Sequence, residues 1–361
     1  MIYLETLING ILLGGLYGIL GLGLALVFGV MRVINVAHGE FIVGAAVLAA
    51  SIMSALPGIN ALATIIPVVI IAFVIGYLFQ LFLLNKVVQR GDMLAPMLVT
   101  FGVSIVVRNL MLAVFGSNPM AINAGPIAKA SFAVAGVHIG VLPLITLAIS
   151  VALFGMLQYL ITRTTFGKTI RATADNPDIV RLMGVNPTRI YALVMGIAFA
   201  MAAVAGVLLA MRTSFSATSG VDRILIAFEV VVLGGLGSFW GALIAGILLG
   251  VVQLMSFQFD ANSGLLYAHL LFFVFLILRA VPFAAFLVFV ACGPLVMTDG
   301  HLHLATEMFV VIVIASMWNL LAGYAGLMSL GHQMYFGAGG YVLYLFANAT
   351  GLHPYLGLIV A

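Results

Sequence analysis

Charge is what this chain lacks. Only 6% of its 361 residues are Asp, Glu, Lys or Arg, against ~25% in soluble domains. So few charges cannot cover a water-exposed surface, which excludes an ordinary soluble globular protein. Cysteine occurs once, at Cys292, and that excludes an intramolecular disulfide or a thiolate metal framework. The basic residues are dispersed between apolar runs rather than gathered in a stripe, which argues against nucleic-acid binding. The Gly234-Gly235-Leu236-Gly237 stretch lacks the Gly-Lys-Ser/Thr ending of a phosphate-binding loop, and no complete Walker sequence exists. Any ATP used is therefore hydrolysed by another polypeptide. The first apolar run also lacks the basic flank and small-residue cleavage site of a signal peptide.

Apolar residues are what the chain has: 65% of it is hydrophobic. The apolar runs are 7–29, 41–55, 63–84, 95–115, 139–162, 190–211, 225–256, 265–278, 281–298, 304–322 and 333–349. A bilayer span takes about 20 such residues. The expected fold is all-α: a polytopic integral membrane protein, with broken or re-entrant helices where glycines interrupt the runs. Run 225–256 is too long for one simple span. A turn at Gly234–Gly237 would return the chain and place Arg279 on the cytoplasmic side. Such backbone is tolerated at membrane depth only when buried in protein or lining a cavity.

Five of the thirteen Lys and Arg residues fall between Arg163 and Arg189. The positive-inside bias makes this loop cytoplasmic. Counting back, Arg32, Lys86, Arg90 and Asp92 are inside and the N-terminus is outside. Lys129, Arg212 and Arg223 fall outside. Within the loop, Asp175-Asn176-Pro177 is a helix start, since Asn or Asp caps free N–H groups and Pro suits the first turn. Gly184 stops that helix, and Asn186-Pro187 starts the next. A short exposed helix between spans suggests a docking element.

Two segments repeat in constant register. Gly29, Asn35, His38 and Phe41 align with Gly323, Ser329, His332 and Tyr335. Both copies follow an apolar run and precede a Gly/Ala-rich one, so a second unit is expected to begin near residue 281. The chain ends in apolar sequence, and residues 280–361 contain no Lys or Arg. The second unit is therefore read as truncated and without its own basic loop.

The segments GLGLALVFGVMRVINVAHGEF at 21–41, ATADNPDIVRLMGVNPTRIYAL at 172–193 and VVLGGLGSFWGALIAGILLG at 231–250 resemble the H-type permease subunit of branched-chain amino acid ABC importers. WNLLAGYAGLMSLGHQMYFGAGGYV at 318–342 resembles the opening of the M-type subunit. The resemblance implies a complete permease unit over 1–279 and the start of a second over 280–361. It implies a multi-pass protein of the bacterial inner membrane with no catalytic residue and no cofactor of its own. Its expected partners are two cytoplasmic ATPases, a periplasmic binding protein, the rest of the M-type portion and the lipid bilayer.

By the same resemblance, the coupling loop holds Asp175, Asn176, Pro177, Asp178, Arg181, Gly184, Asn186 and Arg189. Asp178 and Gly184 keep the acid-to-glycine spacing of the family's coupling motif, with bulkier residues in place of its alanines. Asp178 and Arg181 are placed to pair. Candidate substrate-path residues are Asn35, His38, Glu40, Glu229, Ser329 and His332, because polar groups at membrane depth are costly and usually face a cavity or one another. The structural alternative is a turn in which His38 caps a broken helix and Glu40 lies near the interface. Glu229 departs from the family's apolar or small polar residue, and it is expected to pair with Arg223 or Arg279 or to lie at the interface. No three of these side chains have metal-ligand spacing. A secondary transporter and a channel are competing classes, and urea, amides or other amino acids are competing substrates.

Overall fold

The computed structural model describes residues 2–88, 94–134, 136–260, 263–279 and 332–350, with single positions at 300, 301, 307, 308 and 311. Run 281–298, most of run 304–322, Arg90, Asp92, Cys292 and Ser329 lie outside the described residues. The chain divides into two compact units, Met1–Ile277 and Leu278–Ala361.

In the first unit, α1 spans Ile2–Met31 and α2 His38–Ala55. A 3-10 turn at Ala61–Thr64 leads into α3, Ile65–Phe79, which continues through a π-turn at Gln80–Leu84 into α4, Asn85–Val88. Helix α5 is Leu94–Phe115, and α6 is a single turn, Pro126–Lys129. Strands β1, Ser131–Val134, and β2, Val137–Gly140, form an antiparallel hairpin. Then follow α7, Val141–Arg163; α8, Thr165–Asp175; α9, Pro177–Leu182; α10, Pro187–Ala210; α11, Gly220–Gly234; and α12, Phe239–Ser256. Helix α13, Gly264–Arg279, follows α12. In the second unit, α14 spans His332–Thr350.

Seven of the described helical segments are long and apolar enough to cross a membrane. The all-α expectation holds apart from the short β1–β2 hairpin. Helices α1 and α10 are buried almost all round, while α3 and α5 bury few of their residues. Exposed isoleucines and leucines on α3 and α5 are what a hydrocarbon solvent permits and water does not.

The centre is held by close backbone approach. Gly10, Gly14 and Gly18 recur at four-residue spacing on α1, opposite Gly246 and Gly250 of α12. A Cβ at Gly14 would lie 2.2 Å from the Cα of Ile247, and one at Gly250 would lie 2.5 Å from the backbone N of Gly14. Gly10 meets Val251 and Gly18 meets Leu243, so α12 runs antiparallel to α1. Small residues at this spacing let membrane helices gain packing that lipid chains cannot replace. Tyr17 donates to Gln253 at 2.5 Å and Gln258 to Thr6 at 2.9 Å across the same seam.

The long run 225–256 is broken where its glycines predict. Helix α11 ends at Gly234, and Gly235 and Gly237 take φ of 90° and 85°. Ser238 then caps α12, accepting from Gly241 N at 3.2 Å. Only residues without a Cβ take these left-handed angles freely.

Candidate functional site

The polar loop between α7 and α10 holds two helices rather than the one short helix expected. Helix α8 is capped by Thr164, whose hydroxyl accepts from Gly167 N at 3.0 Å. It buries Gly167, Ile170 and Thr173, a stripe at helical spacing, and leaves its other faces open. Asp175 is the last residue of α8, not part of the next start. Asn176 is the cap: its Oδ1 accepts from Asp178 N and Ile179 N, both at 3.1 Å. Pro177 is the first residue of α9, where its missing N–H costs nothing.

The end of α9 is a Schellman motif. Val185 N donates to Val180 O at 3.2 Å and Gly184 N to Arg181 O at 3.0 Å. Gly184 takes φ 82°, the left-handed angle this motif assigns to glycine. Asn186 then caps α10 by accepting from Thr188 N at 3.0 Å, ahead of Pro187, and Arg189 lies exposed in the first turn. Asp178 and Arg181 pair at 3.3 Å, both exposed. What the capping pattern did not reveal is the apolar tip. Leu182 is 88% exposed and Met183 77%, beside an exposed Ile179. A six-residue helix fixed at both ends thus presents bare apolar side chains.

The second candidate cluster surrounds the break between α1 and α2. Arg32 takes φ 53°, which ends α1, and residues 32–37 are not helical. Several of their polar groups bond inside the protein. Val36 N donates to Thr100 Oγ1 at 3.1 Å, and Ala37 N to Asn35 Oδ1 at 3.1 Å. Asn35 Nδ2 reaches Met195 Sδ at 3.9 Å. His38 does not cap α2: the cap position is Ala37, without a side-chain bond. Instead His38 Nε2 donates to Leu20 O of α1 at 3.1 Å. Leu20 precedes the end of α1 by eleven residues (31 − 20), a rise of roughly 16 Å. The His38 ring therefore lies deep within the helical layer.

Glu40 is buried rather than interfacial. Its Oε1 accepts from Arg108 Nε at 2.9 Å and Nη2 at 2.6 Å. The N-terminal turn of α11 packs here too. A Cβ at Gly39 would strike Gly220 O, and one at Gly220 would lie 2.3 Å from Glu40 Oε2. Two helix starts and a guanidinium thus converge on one carboxylate, which helix dipoles favour. Arg108 was not foreseen. Thr100, Ser104 and Arg108 recur every four residues in apolar α5, and that polar stripe is the signal that would have found it.

Glu229 pairs with neither Arg223 nor Arg279. It is buried on α11, and its Oε1 lies 2.6 Å from Nδ1 of His269 on α13. The expected partners were chosen for charge, whereas packing of α13 supplied an imidazole. The structure brings Asn35, His38 and Glu40 to one break and places α11 against it. It does not bond Glu229 to them. Ser329 lies outside the described residues, and His332 opens α14 in the second unit.

The Arg108–Glu40 bond yields one expectation directly. Removing one partner of a buried pair strands the other charge, at a cost of about 3–5 kcal/mol. Arg108→Ala should sharply lower the thermal unfolding temperature of the purified protein, and Glu40→Gln in that background should restore part of it. An Arg108→Ala protein as stable as the parent would show that the pair is solvated.

A bundle of membrane-spanning helices is interrupted at α1–α2 and α11–α12 and carries two capped helices, α8 and α9, between the spans α7 and α10. Residues 6–280 match the family described as branched-chain amino acid transport system / permease component, and the chain belongs to that family. It is 30% identical over 262 residues to the high-affinity branched-chain amino acid transport system permease protein BraD of Pseudomonas aeruginosa, covering 70% of this chain and 85% of that protein. It is 30% identical over 270 residues to LivH of Salmonella typhimurium, a permease protein of the same description, covering 70% and 86%. A shorter similarity, 32% over 113 residues, links it to the fructose import permease protein FrcC of Rhizobium meliloti, covering 29% and 31%. No solved structure matches.

Proposed function

We propose that this chain forms the translocation path of an ATP-driven importer for branched-chain amino acids in a bacterial inner membrane. The observation that carries this reading is α9, a rigidly capped helix with an exposed apolar tip, Leu182 and Met183, between two spans. Such a helix suits docking to a cytoplasmic ATPase, whose closure would move α7 and α10 as attached bodies. ATP is hydrolysed by two partner subunits, a periplasmic binding protein delivers the substrate, and this chain needs no cofactor. The N-terminus lies outside, with Arg163–Arg189 and Arg279 inside. Residues 280–361 begin a second, M-type permease unit.

The path runs beside the break at Asn35–Glu40, where the starts of α2 and α11 meet. Unwound backbone between half-helices is where transporters meet zwitterionic substrates. Reconstitution with the ATPases, the binding protein and the rest of the M-type portion should give ATP-dependent uptake of labelled leucine. Competition by isoleucine and valine, but not by urea or amides, is the expected result. Uptake driven by a proton or sodium gradient without ATP would replace this reading with a secondary transporter.

A further inference from the structure

Helix α3 runs into α4 through the π-turn at Gln80–Leu84. Such turns are rare and recur at functional sites. Here the turn joins two amides. In an α-helix, residues five apart lie about 140° apart round the axis, too far for their side chains to meet. The π-turn bonds Asn85 N to Gln80 O, which brings the two residues onto one side. Gln80 Nε2 then donates to Asn85 Oδ1 at 3.0 Å, and Asn85 Nδ2 donates to Thr188 O at 3.1 Å. Thr188 lies in the first turn of α10, just after its cap Asn186. Both amides are buried, Gln80 completely.

We propose that Gln80 and Asn85 are positioning residues that latch α3 to the start of α10, so that a push on α9 moves both spans as one body. The inference rests on α9 being the ATPase dock. Only residues 183–186 separate α9 from α10, so the push arrives at the turn that holds Thr188. Farther along, α3 and α10 approach closely at glycines. A Cβ at Gly76 would lie 2.8 Å from Met195 O, and one at Gly196 would lie 3.0 Å from Phe73 O. Such a contact has no directional bond and can act as a pivot. The latch pins the end where the push arrives. Stability alone does not account for it. Gln80 Oε1 is buried with no partner, and an acceptor left unmade costs its full desolvation. An apolar pair of similar shape would fill the space without that cost.

The test replaces both amides, Gln80→Met with Asn85→Leu, in the full chain reconstituted with its ATPases, binding protein and M-type portion. Removing both partners strands neither amide, so the melting temperature should match or exceed the parent's. Permease-stimulated ATP hydrolysis should persist, because Leu182 and Met183 are untouched. Leucine taken up per ATP should fall about fivefold, the scale of one net hydrogen bond. Spin labels at exposed Ile70 on α3 and exposed Arg189 on α10 read the motion directly. They are placed in a Cys292→Ser background, since Cys292 is the single cysteine. In the parent their separation should be the same with and without nucleotide. In the double variant it should shift when nucleotide binds. A separation that shifts in the parent, or full coupling in the folded double variant, would overturn the inference. So would uptake and stimulated hydrolysis falling by the same factor, which marks lost docking or folding rather than lost transmission. If the double variant does not fold, the label pair in the parent decides alone. Failure of the dock reads differently: stimulated hydrolysis would then survive Leu182→Asp with Met183→Asp.

Discussion

Converting Leu182 and Met183 together to Asp should abolish most ATP-driven uptake while leaving the protein folded. Both side chains are almost bare in the isolated chain, so the bundle loses nothing when they become polar. Exposed substitutions of this kind usually shift stability within about 0.5 kcal/mol. A partner that buries them loses far more. Burying one Leu or Met contributes about 1.5–3 kcal/mol, so losing the pair should lower uptake by roughly a hundredfold or more. Reversing the charges of Asp178 and Arg181 together should act more weakly, because exposed i,i+3 pairs contribute only about 0.2–0.5 kcal/mol. Gly184→Pro should again be severe, since proline cannot take φ 82°, and the tip would be misdirected. The measurement is labelled-leucine uptake and permease-stimulated ATP hydrolysis, each normalised to membrane-inserted folded protein. Parallel losses of uptake and of folded protein would reduce α9 to a structural element.

Gly14→Leu should be the most damaging substitution in the spans. The added Cβ would meet the Cα of Ile247 at 2.2 Å and Gly246 O at 2.7 Å. Those are backbone atoms, which cannot rotate away as a side-chain end can. Overpacking in a core commonly costs about 1–3 kcal/mol, and a forced backbone separation exceeds that. Prising α1 from α12 would also break the Tyr17–Gln253 and Gln258–Thr6 bonds. Gly102→Leu on α5 is the matched control, because a Cβ there meets nothing within 4 Å, and leucine favours helix over glycine by up to ~1 kcal/mol. Thermal unfolding of the two purified variants should differ widely, with Gly102→Leu at or above the parent. Equal melting of the two would mean that the α1–α12 seam is looser than its glycines indicate.

The capping residues Asn176, Pro177, Gly184 and Asn186 were legible because caps are local: each satisfies N–H or C=O groups within a few residues of itself. The turn at Gly234–Gly237 was legible for the same reason. The partners of Glu40 and Glu229 were not. Arg108 lies 68 residues from Glu40 and His269 lies 40 from Glu229, and in a uniformly apolar chain nothing local marks which helices will touch. The reading of His38 as a cap failed likewise, because its carbonyl partner belongs to α1. The α1 glycines form a small-residue pattern in the sequence, but only packing reveals that α12 answers it.

The sequence by itself determined that this is a many-helix membrane protein, where its polar loop lies and which residues cap its helices. Those properties follow from transfer free energy and local hydrogen bonding, which composition and short spacing express. Tertiary structure alone decided that two helix starts and Arg108 converge on Glu40, that α9 ends in bare apolar side chains, and that Asn85 reaches the start of α10. Each of these depends on distant segments packing by shape, which no stretch of chain encodes within itself.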